Sequence, residues 1–380
     1  MLLIECDGKA LLRAAGIATP ESVVVDGAEA SALPGAGPWI VKAQVPVGGR
    51  GKAGGVVRCD TEPEVRAAQQ RLLGASIKGH RIQRCLVEAA VAGHDEYYLS
   101  LMLDPAQYGV RVMLLREGGV DVGQAGAAQT QSRLCPPDTE AMAAAVAELA
   151  AGEPPARRAA LIVAGKKLAR LFMDRELMLA EINPLFVGAD GCIAGDAKIV
   201  IDLNAAERQP ALTELIENAP AIYPDAIRKL RDGFDYVEVD PEGEIGLLTT
   251  GAGLSMMLID EMTARGGKPL NFCDIRTGLL RGDPMRVIKV LGWIGERPNV
   301  KVLLVNIFAG ITDLAEFANL LCIALERTPV LRVPVVARIV GNRFDEARAI
   351  LNEKRPDIAV EEDLTAALNR VDAILRGASA

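Results

Sequence analysis

The 380-residue chain has only two histidines, His80 and His94, and an aromatic content of 4%. Neither histidine sits in a serine, cysteine or metal-type motif, so both read as surface residues and no catalytic histidine is evident. No run of eighteen apolar residues occurs, which argues against a membrane-spanning helix, and MLLIECDGK meets acidic residues too early for a signal peptide. A soluble cytoplasmic protein is therefore expected. The cysteines (Cys6, Cys59, Cys85, Cys135, Cys192, Cys273, Cys322) lack CxxC spacing, which excludes a zinc site or disulfide framework on pattern and leaves buried, reduced thiols. Positive charge is also short: a net charge of -8 with few aromatics speaks against a nucleic-acid surface. The Walker pattern GxxxxGK[ST] is absent.

Half of the residues are apolar, enough for two or three domains with large cores. Runs rich in Val, Ile and Leu (PWIVKAQV at 38–45, RCLVEAAV at 84–91, EYYLSLML at 96–103, GVRVMLLREG at 109–118) read as strands, and residues 136–174 read as helix. From Gly243 short strands alternate strictly with helices: EIGLLTTG, LSMMLIDEMTARGG, KVLLVNIFAG, a helix to Leu325, then VPVVARIVG. That order implies a parallel, doubly wound sheet. The acidic VEVDPEGE at 237–244 reads as the linker between the halves.

Three local patterns carry chemistry. KAQVPVGGRGKAGG at 42–55 sets Lys42, Arg50 and Lys52 among glycines that permit positive φ and close backbone approach, so it reads as either a phosphate cradle or a mobile basic hairpin. In ELMLAEINPLFVGADGCIAGDAKIVID the turn GADG at 188–191 predicts a hairpin whose register places Asn183 opposite Asp196 and Glu181 opposite Lys198 on one face. Cross-strand partners about 5 Å apart at Cβ let an amide oxygen and a carboxylate share one Mg²⁺, which takes few protein ligands besides water and phosphate oxygens. Glu88 and Glu96 stand where they could accept hydrogen bonds from an adenine amine or ribose hydroxyls, or be solvated strand ends. TTGAGLSMM and NIFAGITDL put glycine at strand-to-helix junctions that attract anions.

GPWIVKAQVPVGGRGKAGG, LVEAA, AEINPL with a later GDAK, GAGLSM, LNFCDI, VNIFAGI and VPVVARIVGN follow one another in an order that resembles the β subunits of succinyl-CoA synthetases and malate-CoA ligases, over nearly the full length. The resemblance implies an ATP-grasp half at about 1–236, with a smaller subdomain at about 21–91, and a flavodoxin-like CoA-ligase half at 244–380. It implies Mg²⁺, ATP or GTP, and CoA bound mainly by an α subunit that carries a phosphohistidine, in an αβ or α2β2 complex. By motif, Lys42, Gly49, Arg50 and Gly51 resemble nucleotide-phosphate contacts, Glu88 and Glu96 nucleotide-binding carboxylates, and Asn183 and Asp196 Mg²⁺ ligands. Glu181 resembles the carboxylate that meets the phosphohistidine, and Gly310, Ile311 and Thr312 the helix start that faces the acid.

Departures fall in the second half: Thr250 replaces an Asn before GAG, Arg276-Thr277-Gly278-Leu279 replaces a triple glycine, and Thr312-Asp313-Leu314-Ala315 replaces an Arg-Cys-Asp run. Arg276 is the candidate replacement for the missing cation. The acid is accordingly left open among succinate, malate, another dicarboxylate and a sulfonated acid. Two rival readings are a single-chain ATP-grasp ligase joining a carboxylate to an amine, and a regulatory paralogue without catalysis. The CoA-ligase motifs count against the first; Lys42, Glu181, Asn183 and Asp196 count against the second.

Overall fold

The computed structural model describes residues 1–26, 32–116, 118 and 131–377, and every element below is drawn from those residues. Chain contacts divide it into two compact units, Met1–Ile222 and Tyr223–Ala380.

Unit 1 opens with helix α1 (Glu5–Ala14), which leads into strand β1 (Ser22–Val25), β2 (Trp39–Ala43) and β3 (Val56–Cys59). Helix α2 (Glu62–Leu72) follows, started by Glu64, whose carboxylate accepts the backbone N–H of Asp60 at 2.7 Å and of Thr61 at 3.3 Å. After the short pair β4 (Ser76–Ile77) and β5 (His80–Arg81) comes β6 (Cys85–Ala89), which closes a sheet of order β1-β6-β2-β3. Its core includes Val41, Val45, Val65, Leu72, Ile82 and Val87. Every one of these is apolar and branched or long, so burial at about 25 cal/mol per Å² stabilises the small sheet against α2.

The larger sheet contains β7 (Asp95–Asp104), β8 (Gly109–Leu115) and β9 (Ser132–Cys135), then, after helices α3 (Thr139–Leu149) and α4 (Pro155–Asp174), β10 (Leu177–Val187), β11 (Cys192–Ala194) and β12 (Lys198–Ile201). The order is β11-β10-β7-β8-β9, with β12 also on β10. The strands expected at 96–103 and 109–118 are β7 and β8; Glu117 of the second lies outside the described residues. The long helix expected over 136–174 is two helices. Asp138 caps the first by accepting from Ala141 N at 2.9 Å, and Pro154 and Pro155 start the second. Helix α5 (Pro210–Glu217) ends the unit.

Unit 2 comprises α6 (Pro224–Asp232), β13 (Asp235–Glu238), β14 (Ile245–Thr249), α7 (Ala252–Ala264), β15 (Asn271–Asp274), α8 (Met285–Gly295), β16 (Val302–Ala309), α9 (Leu314–Glu326), β17 (Val335–Gly341), α10 (Phe344–Lys354), β18 (Ala359–Glu361) and α11 (Leu364–Leu375). Strands β14-β16-β17-β18 pair in parallel. β15 lies along the outer side of β14: Asn271 Oδ1 accepts from Leu247 N and its Nδ2 donates to Leu247 O, both at 2.9 Å. Taken with β15, the parallel order is 2-1-3-4-5, the flavodoxin-like winding. Leu248, Leu303 and Val305 pack with α8 and α9 on one face, and Leu247, Val302 and Leu304 with α7 and α11 on the other, so the unit is doubly wound. These strands are buried on both faces, which is why they read as continuous apolar runs rather than alternating ones.

The stretch expected as a linker is not one. Val237 and Glu238 belong to β13, which pairs antiparallel with β15, and Val239 N donates to Leu270 O at 2.8 Å. The contact boundary between Ile222 and Tyr223 precedes it, because β13 finds its hydrogen-bond partners in unit 2.

Candidate active site

In unit 1 the decisive feature is a buried set of charges. Lys42 lies on β2, and Glu88 on β6 stands opposite Ile40, so both side chains share a sheet face as diagonal neighbours. Lys42 Nζ meets Glu88 Oε2 and Glu5 Oε1, each at 2.7 Å, and donates to Gly195 O at 2.6 Å. Arg50, from the loop after β2, bridges Glu5 Oε2 at 2.8 Å and Asp196 Oδ1 at 3.0 Å, and its other terminal nitrogen donates to Ala43 O. Lys9 completes the set through Glu5 Oε1 at 2.9 Å, Glu88 Oε1 at 2.5 Å and Gly195 O at 2.9 Å. Lys42 and Arg50 are each 10% exposed at the side chain, and Asp196 is the open member at 35%.

Buried charges survive only when paired, and here three cations face three carboxylates. Burial works to raise the Glu5 carboxyl, but Lys42, Lys9 and Arg50 together hold it well below the usual carboxylate range. Burial likewise opposes the Lys42 ammonium, yet Glu5, Glu88 and Asp196 outweigh it and push its pKa up, so the cation stays charged. Burial, with repulsion from Glu5, moves Asp196 upward against Arg50, Lys42 and Lys9.

The glycine-rich loop forms a tight turn. Gly55 N donates to Arg50 O at 2.8 Å and Gly54 N to Gly51 O at 3.0 Å, while Gly49 and Gly54 adopt φ of +74°. Open space surrounds Gly48 and Gly51. Gly49, Arg50, Gly51 and Gly54 happen to carry GxGxxG spacing, but the loop joins two antiparallel strands and no helix follows it, so no helix dipole adds to the cradle. Lys78, absent from the sequence-based set, donates to Gly48 O at 2.8 Å and adds a cation at the loop's edge.

The hairpin register is the expected one. Leu185 pairs with Ala194 and Glu181 with Lys198, which bracket Asn183 and Asp196; the β10 ladder is interrupted between them. Ala180 and Ile182 are buried on one face of β10, leaving Glu181 and Asn183 on the other. Glu181 Oε2 accepts from Tyr98 Oη at 3.1 Å and pairs with Lys198 at 3.4 Å. Burial, then Glu181, pushes the Tyr98 hydroxyl up, so it remains a donor. Asn183 and Asp196 supply an amide oxygen and a carboxylate, the two-ligand set that a nucleotide-borne Mg²⁺ takes, so the donors present fit that ion. Among the described residues no cluster of three or more His, Cys, Asp and Glu forms a self-sufficient metal site.

Of the two candidate nucleotide-binding carboxylates, Glu88 differs from expectation. Glu88 is neither solvated nor open to an adenine amine: both oxygens are taken by Lys9 and Lys42. Glu96 is exposed at the start of β7, beside a cavity lined with Asp95, Tyr97, Arg116, Glu153 and Arg157, and lies outside the charge cluster. Glu5 and Lys9 escaped sequence reading because a Glu-Lys pair at i,i+4 is the usual mark of a solvent-facing helix. Their one signal was position inside the apolar MLLIECDGKALL.

In unit 2 the order reverses between β14 and β16, and the loops after these two strands carry Thr250 and Gly310, Ile311 and Thr312. Asp274 Oδ1 accepts from Gly251 N at 3.0 Å and Arg276 N at 3.1 Å, tying two of the altered loops together. Thr277 and Thr312 share a hydroxyl hydrogen bond of 2.8 Å. Ile311 is 99% exposed, and Asp313 caps α9 through Ala315 N and Glu316 N. Arg276, in the left-handed region at φ +51°, pairs with Asp235.

Unit 1 sets a glycine-rich loop and a buried cluster of cations and carboxylates beside a β-hairpin, and a doubly wound unit follows it; the class is that of CoA ligases with an ATP-grasp domain. An ATP-grasp domain family matches residues 2–187 and a CoA-ligase family residues 248–371. The chain is 38% identical over 368 residues to the succinate–CoA ligase [ADP-forming] β subunit of Chloroflexus aurantiacus, covering 93% of this chain and 94% of that protein. It is 39% identical to the [GDP-forming] β subunit of Thermus thermophilus, over 83% of each, and 34% identical to the [ADP-forming] β subunit of Desulfurococcus amylolyticus, over 99% and 100%. The ATP citrate lyase of Methanothrix soehngenii shares the fold at a TM-score of 0.68 and 18% identity, over 99% of both chains. The chain belongs to the family of succinate–CoA ligase β subunits, acid–thiol ligases that form a nucleoside diphosphate. Among the described residues no helix is long and apolar enough to cross a membrane.

Proposed function

We propose that this chain binds a Mg-nucleoside triphosphate in unit 1 and a small acid at the β14/β16 loops, and exchanges phosphate with a phosphohistidine on a partner α subunit. Acyl-CoA, nucleoside diphosphate and phosphate are the products. The observation that carries this reading is the convergence of Lys42 and Arg50, from one loop and its strand, with Asp196, 146 residues beyond Arg50, within one cluster of contacts no longer than 3.0 Å. Lys42 and Arg50 grip the terminal phosphates, and the open turn at Gly49 and Gly51 lets their oxygens approach the backbone. Asn183 and Asp196 hold Mg²⁺, which when bound supplies neutralising charge to the polyphosphate. Glu181, itself held by Tyr98, orients the incoming imidazole. Glu96 takes the nucleoside end. Glu88 serves through Lys42, not by touching the base.

The acid is bound by Thr250, Gly310, Ile311 and Thr312 at the start of α9, with Arg276 as the cation. Succinate, malate, another dicarboxylate and a sulfonated acid are the candidate substrates, and ATP and GTP the candidate nucleotides. CoA binds mainly to the α subunit. The test is co-expression with the α subunit, then nucleoside diphosphate release over a panel of acids with each nucleotide. Release that requires an acid and CoA supports the reading; release by this chain alone with an amine acceptor supports a single-chain ligase, and none with any acid supports a regulatory paralogue. Asp196→Ala is expected to remove most nucleotide-dependent phosphorylation of the α subunit.

A further inference from the structure

The two charges of α1 have no direct contact role in that reading, yet they are its most buried members. Lys9 is wholly buried, as is the Glu5 side chain. Packing alone does not call for them: α1 already lies against the segment after Gly195, where a Cβ on Gly8 would come within 3.2 Å of Ala197 Cβ and Leu3 N donates to Ile199 O. An apolar pair of similar volume would pack there without the cost of taking two ions out of water.

What the charged pair supplies is geometry. Glu5 divides its carboxylate, Oε1 to Lys42 at 2.7 Å and Oε2 to Arg50 at 2.8 Å, so one planar group fixes the spacing of two cations that would otherwise repel. Lys9 binds the same three acceptors as Lys42, namely Glu5 Oε1, Glu88 and Gly195 O. It thereby holds those acceptors in place around Lys42.

We propose that Glu5 and Lys9 are positioning residues of the nucleotide site: Glu5 sets the separation of the Lys42 ammonium and the Arg50 guanidinium, and Lys9 locks Glu5 and Glu88 against them. The inference rests on the reading of Lys42 and Arg50 as phosphate contacts. Preorganised cations grip a polyphosphate without first losing side-chain freedom, and that saving is the contribution of α1.

The test uses the complex with its α subunit, with ADP and Mg-ADP binding followed by calorimetry beside thermal unfolding and the KM for acid. Glu5→Gln/Lys9→Met removes one charge of each sign and leaves two cations facing two carboxylates. It is expected to melt close to wild type and to bind ADP about tenfold or more weaker, with the acid KM unchanged. Glu5→Asp keeps the charge on a shorter stem and should fall between the two, which also covers a double variant that fails to fold. Lys42→Ala is the control. If Lys42→Ala weakens ADP binding but both the double variant and Glu5→Asp bind as wild type, the inference is overturned while the nucleotide site stands. If Lys42→Ala binds ADP undiminished, the nucleotide site itself is misassigned and the inference falls with it. Equal losses for ADP and acid mark general damage and also overturn it.

Discussion

Arg276 shows how far a single position can be read. Its side chain pairs with Asp235 and its N–H with Asp274, so it is anchored at the loop it was expected to serve. Arg276→Ala is expected to raise the KM for acid about tenfold with nucleotide affinity unchanged, measured by initial rates in the complex; equal effects on both would remove it from the acid site. Gly341 has φ of +142°, and a Cβ there would sit 2.0 Å from Ala309 O. Gly341→Ala should therefore destabilise unit 2 by about 2 kcal/mol, seen as a lower melting transition, because β17 cannot then stay beside β16. Glu5 gives a pH prediction. A carboxyl whose folded pKa is depressed contributes stability that is complete above the unfolded value, about 4.3, and is lost as pH falls through the folded value. The thermal midpoint of wild type should fall over that acid range more steeply than that of Glu5→Gln/Lys9→Met.

Among elements, the hairpin register was legible on either side of Asn183 and Asp196, because turn chemistry and two-residue periodicity set it and both are local, but the break in the ladder between those pairs was not. The parallel strands of unit 2 were legible for a different reason: buried on both faces, they read as short continuous apolar runs between helices. The break between α3 and α4 was not read, although Asp138, Pro154 and Pro155 mark the two helix starts. These two helices pack through Gly165, where a Cβ would stand 2.7 Å from Val146 Cγ1. Gly165→Val is expected to cost about 2 kcal/mol by overpacking and to lower the melting temperature without altering ADP affinity. The mistaken linker has a plain cause: Pro241 and Gly243 do form a turn, closed by Gly243 N on Asp240 O at 2.9 Å, but it connects two strands inside unit 2, and only the pairing of β13 with β15 reveals that.

At the scale of the whole molecule, length and composition suited two or three domains, and the described chain forms two compact units. Local order along the chain determined the alternation of strand and helix in unit 2, the hairpin turn at 188–191 and the register of the pairs that flank Asn183 and Asp196, and the succession of motifs, since all of these depend on residues near in sequence. Tertiary structure alone decided that Glu5, Lys9, Lys42, Arg50, Glu88 and Asp196 meet, that Glu88 faces two lysines and not solvent, and that Lys78 reaches the loop. The physical reason is that an ion pair has no period: a buried charge is stable only where a partner from a distant element arrives, and no local pattern records which partner that is.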